Sequence, residues 1–434
     1  MMQANERPSD KVFCLPLGRF YYGIALECVA ETVQGVQITP FPCLPDYYCG
    51  VCSHKGTVTP VISLRRLAGQ EGCGSEEGGR AVTVFLRHGD YLCGILTEEK
   101  PVLLDLSAAR AMEAGQTHYA PNQGTESLRR AIAAFETRRG RRTEAGEVLV
   151  TVGATQALNT VLTGILNPGD EAIIPTPAFS LYDSIVTAAG AKSVFLDVSK
   201  TGFQITKEAL DACLTERTRA IVLNSPNNPT GVVLKKSSLE TVAEAVRQRD
   251  IYLICDNVYG ALSYVNCPDL TLEEDLRDKT ILCQSFSKPY AMTGWRVGYL
   301  AAPEGLISRL LLLSAAQIAA VPTFIQTAAE TALTLDVTPM RELYRARRDY
   351  VTGRLRDMGL SFPEPEGAFY VFPSIEKFGI PSWEFCTRMI REAGLAAVPG
   401  VCFGTEGYIR LSYCYADQEL REGLDRLEGF VRTL

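Results

Sequence analysis

From about Leu106 onward the chain repeats one rhythm, an apolar run, a turn and a helical segment, and this alternation restricts the fold more than any other feature. EVLVT, EAIIP, KSVFLDV, AIVLN, IYLICD, TILCQS and VGYLA read as strands, with helical segments between many of them. Strands and helices that alternate in this way pack as a mainly parallel sheet covered on both faces, with ligands at the carboxyl ends of the strands. One helix carries its own start signal: Ser237 and Glu240 have capping-box spacing, and Leu239, Val242, Ala243 and Val246 then share a face. From about Met340, charged helices surround the apolar run GAFYVFP, which predicts a smaller α+β domain.

Before Asp105 the rhythm differs. VFCLPL, YYGIALECV, GVQITPFP, TVTPVISL, AVTVFL and YLCGIL are short β-type runs broken by turn residues, the pattern of a small barrel. Ala68 to Arg80, AGQEGCGSEEGGR, is Gly-rich and acidic and reads as a mobile loop. The expected organisation of the 434 residues is therefore an all-β module over 1–105, a large α/β domain over 106–338 and a small α+β domain over 339–434.

Charge and rare residues remove whole classes of function. With 43 basic and 50 acidic side chains the net charge is -7, which argues against nucleic acid or an anionic membrane as partner. The uncharged stretch Leu310 to Val321 is too short to span a bilayer, and MMQANERPSDK has no apolar signal core, so a cytoplasmic location is expected. Only three histidines occur, His54, His88 and His118, leaving almost no material for His-dependent triads or a metal site. The 14 cysteines read as reduced and packed; Cys49 and Cys52 have CxxC spacing, but no second pair completes a zinc site.

The chemistry concentrates in SFSKPYAMTGWRVGYL, Ser285 to Leu300. Lys288 follows a buried strand, with Arg296 a short distance on; desolvation and a nearby cation lower an amine's pKa, as a Schiff-base lysine requires. From spacing alone, a surface lysine after a strand is the favoured reading. Three further strand ends bring Asp256 with Tyr259, the turn SPNNPTG (Ser225 to Gly231) and the helix start VGATQAL (Val152 to Leu158) toward one sheet edge. Backbone N–H groups at Ala154 and Thr155 would hold a phosphate there. Taken singly, Asp256 also fits a helix cap and NNP a plain turn.

THYAPNQGTESLRRAI, VGATQAL, PTPAFSLY, NSPNNPTG, CDNVY, SFSKPYAMTGWRVGY, PEGAFYVFP and FGTEGYIRLSY occur in this order, and together they resemble the class I/II aminotransferases of the fold-type I pyridoxal-phosphate enzymes. The resemblance implies a homodimer that moves an amino group between an L-amino acid and a 2-oxo acid. It implies that Lys288 carries pyridoxal 5'-phosphate as a Schiff base and serves as general base, and that Asp256 pairs with the pyridine nitrogen. Asn228 and Tyr259 would bond the phenolic oxygen, and Phe179 would stack on the ring. Ala154, Thr155, Ser285 and Arg296 would hold the phosphate, joined by Tyr119 of the partner subunit. Arg410 would grip the substrate α-carboxylate. One group of aspartate aminotransferases has lysine at the position of Thr155, so this residue gives no support for an acidic substrate.

VFCLPLGRFYYGIALECVAETV, QITPFPCLPDYYCGV, HKGTVTPVISLRRL and AVTVFLRHGDYLCGILTEE are similar to the chemotaxis coupling domain CheW over about Val12 to Leu104. That resemblance implies docking to a chemotaxis kinase or receptor, and places Cys49 and Cys52 on a strand and a turn. Lys55 stands before the turn glycine, Gly56, where the family usually has an arginine. Both modules read as trimmed at their junction: the β module lacks its closing strands, and the aminotransferase lacks the N-terminal arm. Two other readings use the same residues, a pyridoxal-phosphate carbon-sulfur lyase and a catalytically weak signalling scaffold.

Overall fold

The computed structural model describes residues 11–17, 20–42, 45–69, 81–97, 101–105 and 107–434. Residues 70–80, most of the expected Gly-rich loop, and residues 1–10 lie outside them. The chain divides into two compact units, Met1–Gly115 and Gln116–Leu434.

The first unit is built from β1 (Lys11–Leu17), β2 (Phe20–Ala25), β3 (Val29–Gln34), β4 (Tyr48–His54), β5 (Thr57–Ser63), a single turn α1 (Leu64–Leu67), β6 (Val82–His88), β7 (Tyr91–Thr97), β8 (Val102–Asp105) and α2 (Ser107–Glu113). They form a three-stranded sheet, β2-β1-β8, and a five-stranded sheet, β3-β6-β7-β5-β4. Leu15, Leu17, Leu64, Val82, Val84 and Ile95 make the main core, and Cys52, Val61 and Phe85 a second one. His54 and Thr57 pair across a two-residue turn in which Lys55 and Gly56 both have positive φ, 48° and 82°, the requirement of a hairpin that follows strand twist. The structure departs from the sequence expectation here: GVQITPFP contributes only a bridge from Thr39 to Val51, because Pro40 and Pro42 lack ladder donors. YCGVCSH forms β4 instead, so Cys49 and Cys52 both lie on a strand, not one on a turn.

The second unit begins with α3 (Glu126–Arg138) and continues through β9 (Val148–Thr151), α4 (Gly153–Ile165), β10 (Glu171–Thr176), α5 (Leu181–Ala188), β11 (Lys192–Asp197), α6 (Lys207–Cys213), β12 (Thr218–Asn224), α7 (Lys236–Gln248), β13 (Tyr252–Asp256), β14 (Thr280–Ser285), β15 (Gly298–Ala301), α8 (Glu304–Gln317) and α9 (Thr323–Ala332). The seven strands lie in the order β11-β10-β12-β13-β14-β15-β9, parallel except for β15, which opposes both neighbours. Side chains alternate across the sheet. Ile173, Ile221, Leu253 and Cys255 pack with α6 and α7 on one face, and Ala172, Ile174, Val222 and Ile254 pack with α4, α5 and α8 on the other. α7 starts one residue before Ser237, without the expected capping box. The cap amide of Lys235 is already bonded from outside by Gln204 Oε1 at 2.8 Å, and Ser238 is taken up by Gln204 and Ile205.

The remaining elements are α10 (Thr338–Asp357), β16 (Tyr370–Val371), α11 (Ser382–Ala393), β17 (Val398–Pro399), β18 (Ile409–Ser412) and α12 (Asp417–Val431), with the sheet order β16-β18-β17. Their core, including Phe385, Met389, Leu424, Leu427 and Phe430, also takes in Val258, Tyr259 and Leu262 from the exit of β13. That exit is thereby fixed from both sides. Among the described residues no helix is long and apolar enough to cross a membrane.

Candidate active site

Strand register lines up the site. Asn224 pairs with Asp256 and Asp256 with Cys283 across β12, β13 and β14, while Ser285 pairs with Gly298 and Gly298 with Thr151 across β14, β15 and β9. The residues that follow or precede these rows, Asn228, Lys288, Arg296 and Ala154, therefore issue from one edge of the sheet.

Lys288 is half-buried, with Nζ 5.5 Å from the Phe369 ring centre and 6.0 Å from that of Tyr259. Its pKa is lowered, first by burial and then by the charges of Arg410 and Arg296, against the opposing pull of Cys414 and Asp256. Half-buried beside these rings, Lys288 is not set on the open surface, and burial with nearby cations is what a reacting amine needs.

Asp256 is buried at the end of β13, and desolvation pushes its carboxyl up to about 6 despite the Tyr182 hydroxyl, the Val258 N–H and the Lys288 charge. Tyr182 donates to Oδ2 at 2.6 Å. Among the described residues, Oδ1 is buried with no hydrogen-bond partner. A buried carboxylate oxygen left this way costs free energy unless a donor arrives, and a protonated ring nitrogen is such a donor.

At the start of α4 no side chain caps the helix, so its first N–H groups stay available at Ala154 and Thr155. Gly153 has φ +70°, and a Cβ there would lie 2.7 Å from Arg296 Nη2. A Cβ on Gly298 would meet the Gln284 carbonyl oxygen at 2.6 Å and Ala154 N at 3.0 Å. The glycines thus let β15, the helix start and the Arg296 guanidinium converge, with buried Ser285 alongside. A helix N-terminus beside a guanidinium forms an anion cradle.

From β18, Arg410 Nη1 donates to Asn228 Oδ1 at 2.9 Å, and its guanidinium carbon lies 4.6 Å from the Tyr370 ring and 4.9 Å from that of Phe403. Tyr259 and Tyr370, both buried, place their hydroxyls 3.0 Å apart. Half-buried Phe179 meets the Tyr182 ring edge-on at 5.9 Å. Tyr119 stands apart from this group: its side chain is 89% exposed.

Residues 85–427 match the family Aminotransferase class I and II, and 11–124 match the family CheW-like domain. The chain belongs to the class I and II aminotransferases. A Bacillus subtilis protein named as a probable N-acetyl-LL-diaminopimelate aminotransferase is 39% identical over 332 residues, covering 75% of this chain and 84% of that protein. An aspartate aminotransferase of Pyrococcus abyssi is 40% identical, with 75% of this chain and 87% of the relative covered. The crystal structure of an aromatic aminotransferase from Pyrococcus horikoshii matches with a TM-score of 0.73 at 39% identity, over 75% of this chain and 91% of the other.

Aminotransferases of these classes depend on pyridoxal phosphate, and the residues of this one suit the group. The unpartnered Asp256 Oδ1, the glycine-lined anion cradle and the amine of lowered pKa are the three features its nitrogen, phosphate and aldehyde call for. Three residues escaped sequence reasoning. Tyr182 follows Phe179 by three positions in PTPAFSLY, and Tyr370 lies within PEGAFYVFP, but neither motif shows where its hydroxyl ends. Asn224 joins two strand ends, donating to the Asp256 carbonyl at 2.9 Å and accepting from Asn228 N at 2.7 Å.

Proposed function

We propose that this aminotransferase binds pyridoxal 5'-phosphate at Lys288 and moves amino groups between an L-amino acid and a 2-oxo acid as a homodimer in the cytoplasm. The observation that carries the reading is the buried, unpartnered Asp256 Oδ1 within electrostatic range of an amine of lowered pKa. When bound, the cofactor supplies an electron sink for the pair left at the substrate's Cα. Asp256 would hold the proton on the ring nitrogen, Asn228 and Tyr259 would donate to the phenolic oxygen, and Phe179 would cover one ring face. The N–H groups of Ala154 and Thr155, with Ser285 and Arg296, hold the phosphate. Arg410 receives the α-carboxylate on its planar fork, which fixes the Cα–H bond toward Lys288. The Lys288 amine would take that proton and return it, a task that its lowered pKa favours.

The dimer reading rests on the exposure of Tyr119, which would reach the phosphate of the neighbouring subunit. A reducing compartment is supported by the buried, free thiols of Cys255, Cys283 and Cys386. For the CheW-like domain we infer a docking role toward a chemotaxis kinase or receptor.

The test is a screen of purified protein with aspartate, aromatic amino acids and N-acetyl-LL-diaminopimelate as donors and 2-oxoglutarate as acceptor. Transfer that requires both partners, with a cofactor absorbance band that Lys288→Ala abolishes, is expected. Release of pyruvate and ammonia without an acceptor would instead establish the lyase, and a colourless, inactive protein the scaffold.

A further inference from the structure

Tyr370 lies between two parts of the site that the proposed function treats separately. Its hydroxyl is 3.0 Å from that of Tyr259, and the Arg410 guanidinium stands 4.6 Å above its ring. The Tyr259 and Tyr370 rings meet at 80° with centroids 5.7 Å apart, an edge-to-face contact that leaves little freedom to either hydroxyl. Burial raises the pKa of both phenols, so both stay protonated and one must donate to the other.

The direction follows from the single proton each hydroxyl can give, and its strength from charge. A cation over an aromatic face draws electron density from the ring, and in a phenol this strengthens the O–H as a donor. Arg410 lies 4.6 Å over the Tyr370 ring, while the cation nearest the Tyr259 ring is Lys288, the cofactor's own partner in the proposed function, at 6.0 Å. In that function the single Tyr259 proton goes to the phenolic oxygen, so the proton in the 3.0 Å contact comes from Tyr370, and Tyr259 accepts it. A hydroxyl that accepts one hydrogen bond becomes a stronger donor in the next.

Resting on the proposed function, we infer that Tyr370 is a positioning residue: it holds Tyr259 as the donor to the cofactor's phenolic oxygen and makes that donation depend on the charge of Arg410. A substrate carboxylate that neutralises Arg410 weakens the Tyr370 donor and, through Tyr259, the hold on the phenolic oxygen. Occupancy of the carboxylate clamp is in this way felt at the cofactor through the Tyr370–Tyr259 pair, beside the direct Arg410–Asn228 bond.

The test is a pH titration of the cofactor absorbance band in the parent holoenzyme, Tyr370→Phe, Tyr259→Phe and the double variant. Loss of the Tyr370 hydroxyl weakens stabilisation of the ionised phenolic oxygen, so Tyr370→Phe should raise the apparent pKa of the band by about half a pH unit. In the Tyr259→Phe background the same change should shift nothing. That non-additivity separates a role through Tyr259 from a general loss of packing. Equal shifts in both backgrounds, or a Tyr370→Phe titration matching the parent, overturn the inference while the band itself upholds the proposed function. A parent protein with no Lys288-dependent band overturns both.

Discussion

The hydroxyl of Tyr182 donates to one oxygen of Asp256 at 2.6 Å and leaves the other buried without a partner. The carboxylate is thereby oriented before any ligand arrives, and its free oxygen carries an unmet demand for a donor.

That demand has a pH signature in the cofactor-free protein. The folded carboxyl is raised from 3.8 to about 6, so between these values the native state holds a proton that the unfolded chain has lost. The contribution of this group to stability is complete below about pH 4 and is lost as pH rises through 6, with a change on the order of 2 to 3 kcal/mol. Denaturant midpoints of the parent relative to Asp256→Asn should therefore fall from pH 4 to pH 7; a pH-independent difference would refute the assignment. Tyr182→Phe removes a contact that lowers the carboxyl's pKa, and should weaken cofactor retention on dialysis.

Arg410 tests the carboxylate clamp. Arg410→Lys keeps the charge but loses the planar fork, and its effect should appear as a rise of about 10- to 100-fold in KM for donor and acceptor alike, the value of one or two charge-assisted bonds. Steady-state kinetics with both substrates varied checks this; a change confined to one substrate would point to side-chain recognition instead.

Gly298 tests the cradle. In Gly298→Ala the new methyl would lie 2.6 Å from the Gln284 carbonyl oxygen and 2.8 Å from the Gly153 carbonyl carbon, both backbone atoms that cannot swing away. A stability loss of about 1 to 3 kcal/mol and weaker phosphate binding are expected, read from thermal melts with and without added inorganic phosphate. Unchanged melts in both conditions would mean that the three segments do not converge as described.

Tyr119 tests the assembly by complementation. Lys288→Ala and Tyr119→Phe should each be impaired alone. Mixed after subunit exchange, a dimer of the two contains one site with Lys288 from one chain and Tyr119 from the other, and activity should rise toward half that of the parent. No recovery in a demonstrated mixed dimer would show that Tyr119 serves its own subunit.

Much of this was legible in the sequence because it is local. The seven strands of the large sheet announce themselves as apolar runs, and the motifs around Asn228, Asp256 and Lys288 each sit at a strand end where a parallel sheet delivers its ligands. Hydroxyl partners were not legible. Tyr182 and Asp256 are 74 residues apart, and Tyr259 and Tyr370 are 111 apart, so only the packed fold shows that they meet. The N-terminal unit was read less well because its runs are short: β4, split by Gly50 and Cys49, lacks a clean alternation, whereas GVQITPFP has β-type residues but prolines that forbid a ladder.

The reversed strand β15 has a consequence for how such a chain can vary. Because Ser285 pairs with Gly298, residues 286–297 form a closed return between adjacent strands, and both Lys288 and Arg296 hang from it. An added residue would slide one against the other or break a pairing that also aligns Thr151. The connections after β10 and β12 carry Phe179 and Asn228, and Asn228 is tied back to Asn224 and to Arg410, so their opening residues are held as well. The lysine-bearing return is open to diversification by substitution alone.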